Sequence, residues 1–185
     1  KCLDVQKYRE LAYNMGFGRE NWLCAGINGS AGVLPTVEEL QIPAELANFS
    51  FGQGKLTATP LQITQLACAI ANGGEMPVLR LIKGFTVNGD FVADEKEPNH
   101  SRVISEETAK ELRKMMVSAV RGNKNSNARS KKVSVGAKTS TAQTGRFDKK
   151  GEELCNAWIT GFFPSRKPKY AVTVLIEDGG YGNDA

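Results

Sequence analysis

Residues 138–141, the start of KTSTAQTG at 138–145, set one ammonium and three hydroxyls in succession, directly after a stretch, VSVGA, that alternates like a strand. In a strand, successive side chains point to opposite faces, so Lys138 and Ser140 share one side while Thr139 and Thr141 share the other. At the edge of a cleft such a strand would offer a ligand its backbone N–H groups, the positive field of Lys138 and the directed hydrogen bond of a threonine hydroxyl. That equipment suits a carboxylate. Backbone N–H groups aimed at a carbonyl would also stabilise the oxyanion of an acyl transfer. The same residues read equally as an exposed, threonine-rich strand with no ligand. A third reading makes Ser140 a nucleophile with Lys138 as its base, since residues two apart on a strand have Cα atoms about 6.5 Å apart. A strand serine lacks the sharp turn that presents most serine nucleophiles.

These residues need a sheet to hold them and helices to cover it. VSVGAKTSTA, LCNAWITGFF and KYAVTVLIE read as three strands, and Pro164 to Pro168 gives the short connection that an antiparallel pair requires. The clearest helix starts at Thr59 as N-cap, with Pro60 in the first helical position and Gln62 completing a capping box. Ile63, Leu66, Ala67 and Ile70 follow at helical spacing before Asn72-Gly73-Gly74. Ser105 opens another helix with Glu106 and Glu107 in its first turn, and its buried stripe is expected at Ala109, Leu112, Met115, Met116, Ala119 and Val120. A short amphipathic helix capped by Asp4 and ended by Gly16 opens the chain. TVEELQIP and PAELANF each hold a turn or two of helix, and MPVLRLIKGFTVNGDFVA reads as extended, with Asn88-Gly89 as a hairpin turn. Strands in a run, with amphipathic helices to cover them, predict an α+β fold with an antiparallel sheet and packed helices.

Composition bounds the function. The 185 residues, 41% hydrophobic and 24% charged, are those of an ordinary globular domain. The longest apolar runs, LACAIA and AVTVLI, are far short of the roughly 18 residues a membrane span needs. Net charge is +4, and the run RGNKNSNARSKK holds Arg121, Lys124, Arg129, Lys131 and Lys132 without an acid. No aromatic side chain interrupts that run to stack on bases, so it reads as a solvated connector, and no nucleic-acid partner is expected. Cysteines at 2, 24, 68 and 155 lack metal or redox spacing, and Cys68 lies on the apolar face of its helix. No metal, cofactor or disulfide is expected. His100, in EKEPNHSR, reads as a solvated loop residue. The opening KCLDVQKYRE has neither an initiator methionine nor a secretory signal and reads as cut from something longer.

Four linked segments carry a family resemblance. FGQG at 51–54, TPLQ at 59–62 with a helix ending ANGG, VGAKTSTAQTG at 135–145 and NAWITGFFPSRKPKYAVTVLIEDGG at 156–180 resemble, in order and spacing, the transpeptidase domains of penicillin-binding proteins. The FGQG and TPLQ forms resemble the monofunctional, class B branch. The resemblance implies a β-lactamase-like fold, here partial: residues 1–185 would be a single domain fragment, the C-terminal portion of a transpeptidase domain. It implies a parent serine D,D-transpeptidase of peptidoglycan that works through an acyl-serine intermediate, without a cofactor. By the same resemblance Lys138 and Thr139 help bind the carboxylate of a D-alanyl-D-alanine stem peptide or of a β-lactam. The Thr141 N–H forms half the oxyanion hole, and Gln143 lies at the margin. The other implied partner is the rest of the transpeptidase domain. The implied address is extracytoplasmic, with membrane anchoring through a segment outside this chain.

Two departures from the family pattern bear on activity. The chain contains no Ser-x-x-Lys and no Ser-x-Asn, both of which the family carries upstream, so the fragment by itself is expected to be inactive. Tyr181-Gly182-Asn183 has Tyr-x-Asn spacing but follows the lysine motif, and is not counted as a second motif. Ser140 stands where the family has glycine, with its hydroxymethyl on the side of Lys138, and Ala137 replaces the glycine before the lysine. Ser140 supports an alternative in which the parent is a β-lactam sensor or a catalytically impaired penicillin-binding scaffold of the cell wall.

Overall fold

The structure, a computed structural model, describes residues 3–24, 26–93, 100–124 and 126–182. Helix α1, Val5–Asn14, begins where the Asp4 side chain accepts a hydrogen bond from the Lys7 N–H. A short hairpin follows, β1 (Asn21–Cys24) and β2 (Ile27–Gly29), in a segment for which no strand was expected. Helices α2 (Val37–Leu40) and α3 (Pro43–Ser50) match the two short helices expected there.

Helix α4, Pro60–Ala71, is the structural hub of the N-terminal half. The Thr59 side chain accepts from the Gln62 N–H, and Gln62 Oε1 accepts from the Thr59 N–H, so the expected capping box is complete. Gln62 is also buried. Its Nε2 donates to the carbonyls of Gly16 and Ala31, at 3.0 and 2.8 Å, with Arg19 O at 3.3 Å. One side chain thus caps a helix and ties two irregular loops to it, which explains why segments without regular structure pack in a defined place. Beyond the helix Gly74 adopts φ +94°, and a Cβ there would stand 2.2 Å from the Ile104 carbonyl oxygen. Only glycine fits that approach.

The extended stretch from Met76 to Ala93 divides differently from the expectation. Strand β3 (Glu75–Pro77) pairs with β6 (His100–Arg102), while β4 (Gly84–Val87) pairs with β5 (Asp90–Ala93). The turn Asn88-Gly89 has φ +52° and +93°, the left-handed pair that a tight hairpin demands. Residues 78–83 belong to no strand, and His100, although exposed, lies in β6 rather than in a loop.

Helix α5, Glu106–Gly122, starts where the Ser105 hydroxyl accepts from the Thr108 N–H. Its buried residues are Ala109, Met116 and Val120, whereas Met115 is 64% exposed and Ala119 is also exposed. The expected stripe was too wide. Met116 and Val120 follow Ala109 by whole turns to within about 20°, while Met115 falls about 120° away and faces outward.

The three expected strands form one antiparallel sheet in the order β7 (Gly136–Phe147), β8 (Glu153–Phe163), β9 (Tyr170–Ile176). Phe162, fully buried, lies on the face that meets α5: a Cβ added at its partner Gly136 would touch both the Phe162 ring and Val117. Helices α4 and α5 pack on the sheet and on each other. The core runs through Ala67, Ala69, Ala109, Met116, Val120 and Phe162. Among the described residues no helix is long and apolar enough to cross a membrane.

Candidate functional site

Among the described residues strand β7 has one paired edge and one open edge, because β8 is its single neighbour in the sheet. In an antiparallel pair the N–H and C=O of one residue point to the same side, and alternate residues serve opposite sides. Gln53 Nε2 donates to the Thr141 carbonyl at 3.0 Å, so Thr141 presents its backbone groups to the open edge, and by alternation so does Thr139. Lys138 Nζ reaches that same edge and donates to the Thr139 carbonyl. The alternate residues Lys138 and Ser140 lie opposite Thr160 and Trp158 of β8.

The side chains divide by face as the alternation predicts. Lys138 and Ser140 are exposed on the helix-bearing face, shared with Trp158, Thr160 and Phe162. Thr139 and Thr141 are half-buried on the other face. The Thr141 hydroxyl accepts a hydrogen bond from the Gly182 N–H at 2.9 Å. Gly182 itself is buried, and a Cβ on it would be 2.3 Å from the Ser140 carbonyl oxygen, so the segment leaving β9 lies directly on the β7 backbone. Gln143 sits farther along β7, before the irregularity between Gln143 and Arg146, and donates through Nε2 to Glu153 Oε2 at 2.7 Å.

The five predicted site residues therefore lie on one strand, four of them consecutive, with Gln143 engaged across the pair by Glu153. Two further residues join them that the sequence reading did not name as site residues, Gln53 and Gly182. FGQG was legible as a motif, but nothing in it revealed that its glutamine meets Thr141. The tripeptide set aside as an imitation of Tyr-x-Asn places its glycine on β7, and Asn183 lies outside the described residues. The basic run ends at Lys132, four residues before β7 begins. Arg121, Arg129, Lys131 and Lys132 line a cleft of about 320 Å³ behind α5, and Lys110, Arg113, Lys114 and Arg166 line a neighbouring one of about 620 Å³. Cys24, Cys68 and Cys155 are free, and burial pushes the Cys68 thiol pKa up. Cys2 lies outside the described residues.

An antiparallel sheet with helices packed on one face and a lysine-hydroxyl strand at its open edge defines an α+β fold of the transpeptidase and β-lactamase-like type. The family profile described as penicillin binding protein transpeptidase domain matches residues 3–185, and the chain belongs to that family. It is 28% identical over 211 residues to the peptidoglycan D,D-transpeptidase MrdA of Haemophilus influenzae, an alignment covering 95% of this chain and 32% of the relative. It is 33% identical over 138 residues to the peptidoglycan D,D-transpeptidase PbpA of Mycolicibacterium smegmatis, covering 74% and 28%. Its fold superposes on the apo TP domain of Burkholderia pseudomallei penicillin-binding protein 3 with a TM-score of 0.77 at 26% identity, covering 98% of this chain and 53% of that one. The chain thus spans about a third of the length of these curated relatives and about half of a solved transpeptidase domain.

Proposed function

We propose that this chain supplies the substrate-binding edge of a class B, serine-type peptidoglycan D,D-transpeptidase, and that the longer protein cross-links stem peptides through an acyl-serine intermediate. The nucleophile and the Ser-x-Asn motif come from residues outside this chain. Lys138 and Thr139 hold the carboxylate of a D-alanyl-D-alanine end or of a β-lactam, the ammonium by charge and the hydroxyl by a directed bond. The Thr141 N–H donates to the carbonyl oxygen as it gains negative charge under attack, where a fixed donor lowers the barrier most. Ser140 and Gln143 flank the bound peptide. The remainder of the transpeptidase domain is the chain's own partner, and the protein works outside the cytoplasm, anchored to the membrane by a segment not in this chain.

One observation carries this reading: Thr141 directs its backbone groups to the unpaired edge of β7, the same edge that Lys138 reaches. Fluorescent penicillin tests it. The full-length protein should become covalently labelled, and the isolated fragment should not. An unlabelled full-length protein would remove the enzyme reading. A labelled fragment would relocate the nucleophile into this chain, with Ser140 the first residue to examine by mass spectrometry.

A further inference from the structure

Gln53 stands 88 residues from Thr141 in sequence, yet its amide is the group that meets the Thr141 carbonyl on the open edge. It is delivered there by a braced turn. The Gln53 N–H donates to the Asn48 carbonyl at 2.9 Å and the Gly52 N–H to the Phe49 carbonyl at 3.1 Å, which closes the C-terminus of α3. Gly52 and Gly54, at φ +79° and +76°, flank the glutamine. Below the turn Phe49 is buried and meets the Tyr8 ring edge-on at 5.2 Å. The half-buried Gln53 side chain therefore projects from a hydrogen-bonded turn anchored by Phe49.

Thr141 is consequently held from three directions. Its strand neighbours Ser140 and Ala142 pair with β8, the Gly182 N–H holds its hydroxyl, and Gln53 holds its carbonyl. An edge strand leaves its outward peptide groups without a partner of their own to fix their direction, and an N–H that must meet a developing oxyanion loses effect with small misdirection. We infer that Gln53 is a positioning residue for acyl transfer: by holding the Thr141 carbonyl it keeps this residue extended along the edge, so that the Thr141 N–H, on the preceding peptide unit and the same edge, points at the reacting carbonyl. This rests on the acyl-transfer role proposed above for Thr141. The chemistry requires an amide: Nε2 donates to the carbonyl, whereas a carboxylate of the same shape would repel both that carbonyl and the negative charge forming beside it.

The test is stopped-flow acylation of the full-length protein by a fluorescent penicillin, separating the non-covalent Kd from the acylation rate constant, with titration of the active fraction. Gln53→Ala should lower the rate constant on the order of tenfold, and the near-isosteric Gln53→Glu on the order of a hundredfold, part of the effect of deleting an oxyanion donor outright. Kd for the alanine variant and the active fraction of both should stay within about twofold of wild type. Rate constants within twofold of wild type for both variants would overturn the inference while leaving acyl transfer intact. A loss confined to the active fraction would also overturn it, since that marks a purely structural contact. An increase in rate would make Gln53 a cap on the edge and reverse its assigned role. A wild-type protein that does not acylate would take down the proposed function, and this inference with it.

Discussion

The two faces of the β7–β8–β9 sheet differ although the same strands build both. On the face beneath α4 and α5, Phe162 is fully buried and Ala171, Thr173 and Leu175 are half-buried. On the opposite face Ala137 and Ala157 are buried, but the alternate residues of β9 stand open: Tyr170 is 62% exposed, Val172 44%, Val174 40% and Ile176 40%. Tyr170 stacks on Phe163 at 5.3 Å without covering the row. Solvent-facing strand residues are ordinarily polar, so a row of branched apolar side chains in that position is the signature of a surface built to be covered. The helix-bearing face is packed around Phe162 within this chain, with Lys138 and Ser140 exposed at its β7 side. The other matches the fact that the chain spans 53% of a solved transpeptidase domain.

Phe162 is the position on which the packing of the helix-bearing face depends most. If the helix-bearing face is a true core, Phe162→Ala should lower the stability of the full-length protein by about 3–5 kcal/mol, the range for a buried aromatic truncated to alanine. A shift in the urea midpoint worth less than about 1 kcal/mol would mean that α5 does not seal the sheet.

Val174→Asp probes the other face. Should the remainder of the domain cover β9, the change buries an unpaired carboxylate and should cost about 3 kcal/mol or more in the full-length protein. The same substitution on a solvated strand stays within about 0.5 kcal/mol. An unchanged unfolding midpoint would show that the apolar row stays exposed in the longer protein, and the two faces would then differ for another reason.

The parts of the fold that could be read in advance were those whose signals are local. The Thr59 and Gln62 capping box, the Asn88-Gly89 turn and the alternation of β7, β8 and β9 each depend on residues a few positions apart, and each is present. The β1–β2 hairpin was not legible because its strands are only four and three residues long, too short for a period to show. The pairing of β3 with β6 joins segments some 25 residues apart, across a stretch that looks continuously extended. In α5 the helix was evident but its rotation was not, since Met115 and Met116 are chemically identical and only tertiary packing selects which turns inward. The site divides the same way. Lys138 to Thr141 announced themselves as a strand, while Gln53 and Gly182 reach Thr141 solely through the folded chain.

The smallest expected effect concerns Ser140, on the helix-bearing face of the edge strand. Its side chain lies with Lys138 on the helix-bearing face and is exposed, opposite Trp158, while Gly182 approaches the backbone from the other side. The hydroxymethyl therefore has room in this chain, and the backbone contact with Gly182 does not depend on it. Ser140→Gly should destabilise the full-length protein by roughly 0.5–1 kcal/mol through the added freedom of a strand glycine. It should leave the penicillin acylation rate within about threefold. A gain of tenfold or more would show that the serine obstructs the edge of β7, and would move the parent protein from transpeptidase to sensor or scaffold.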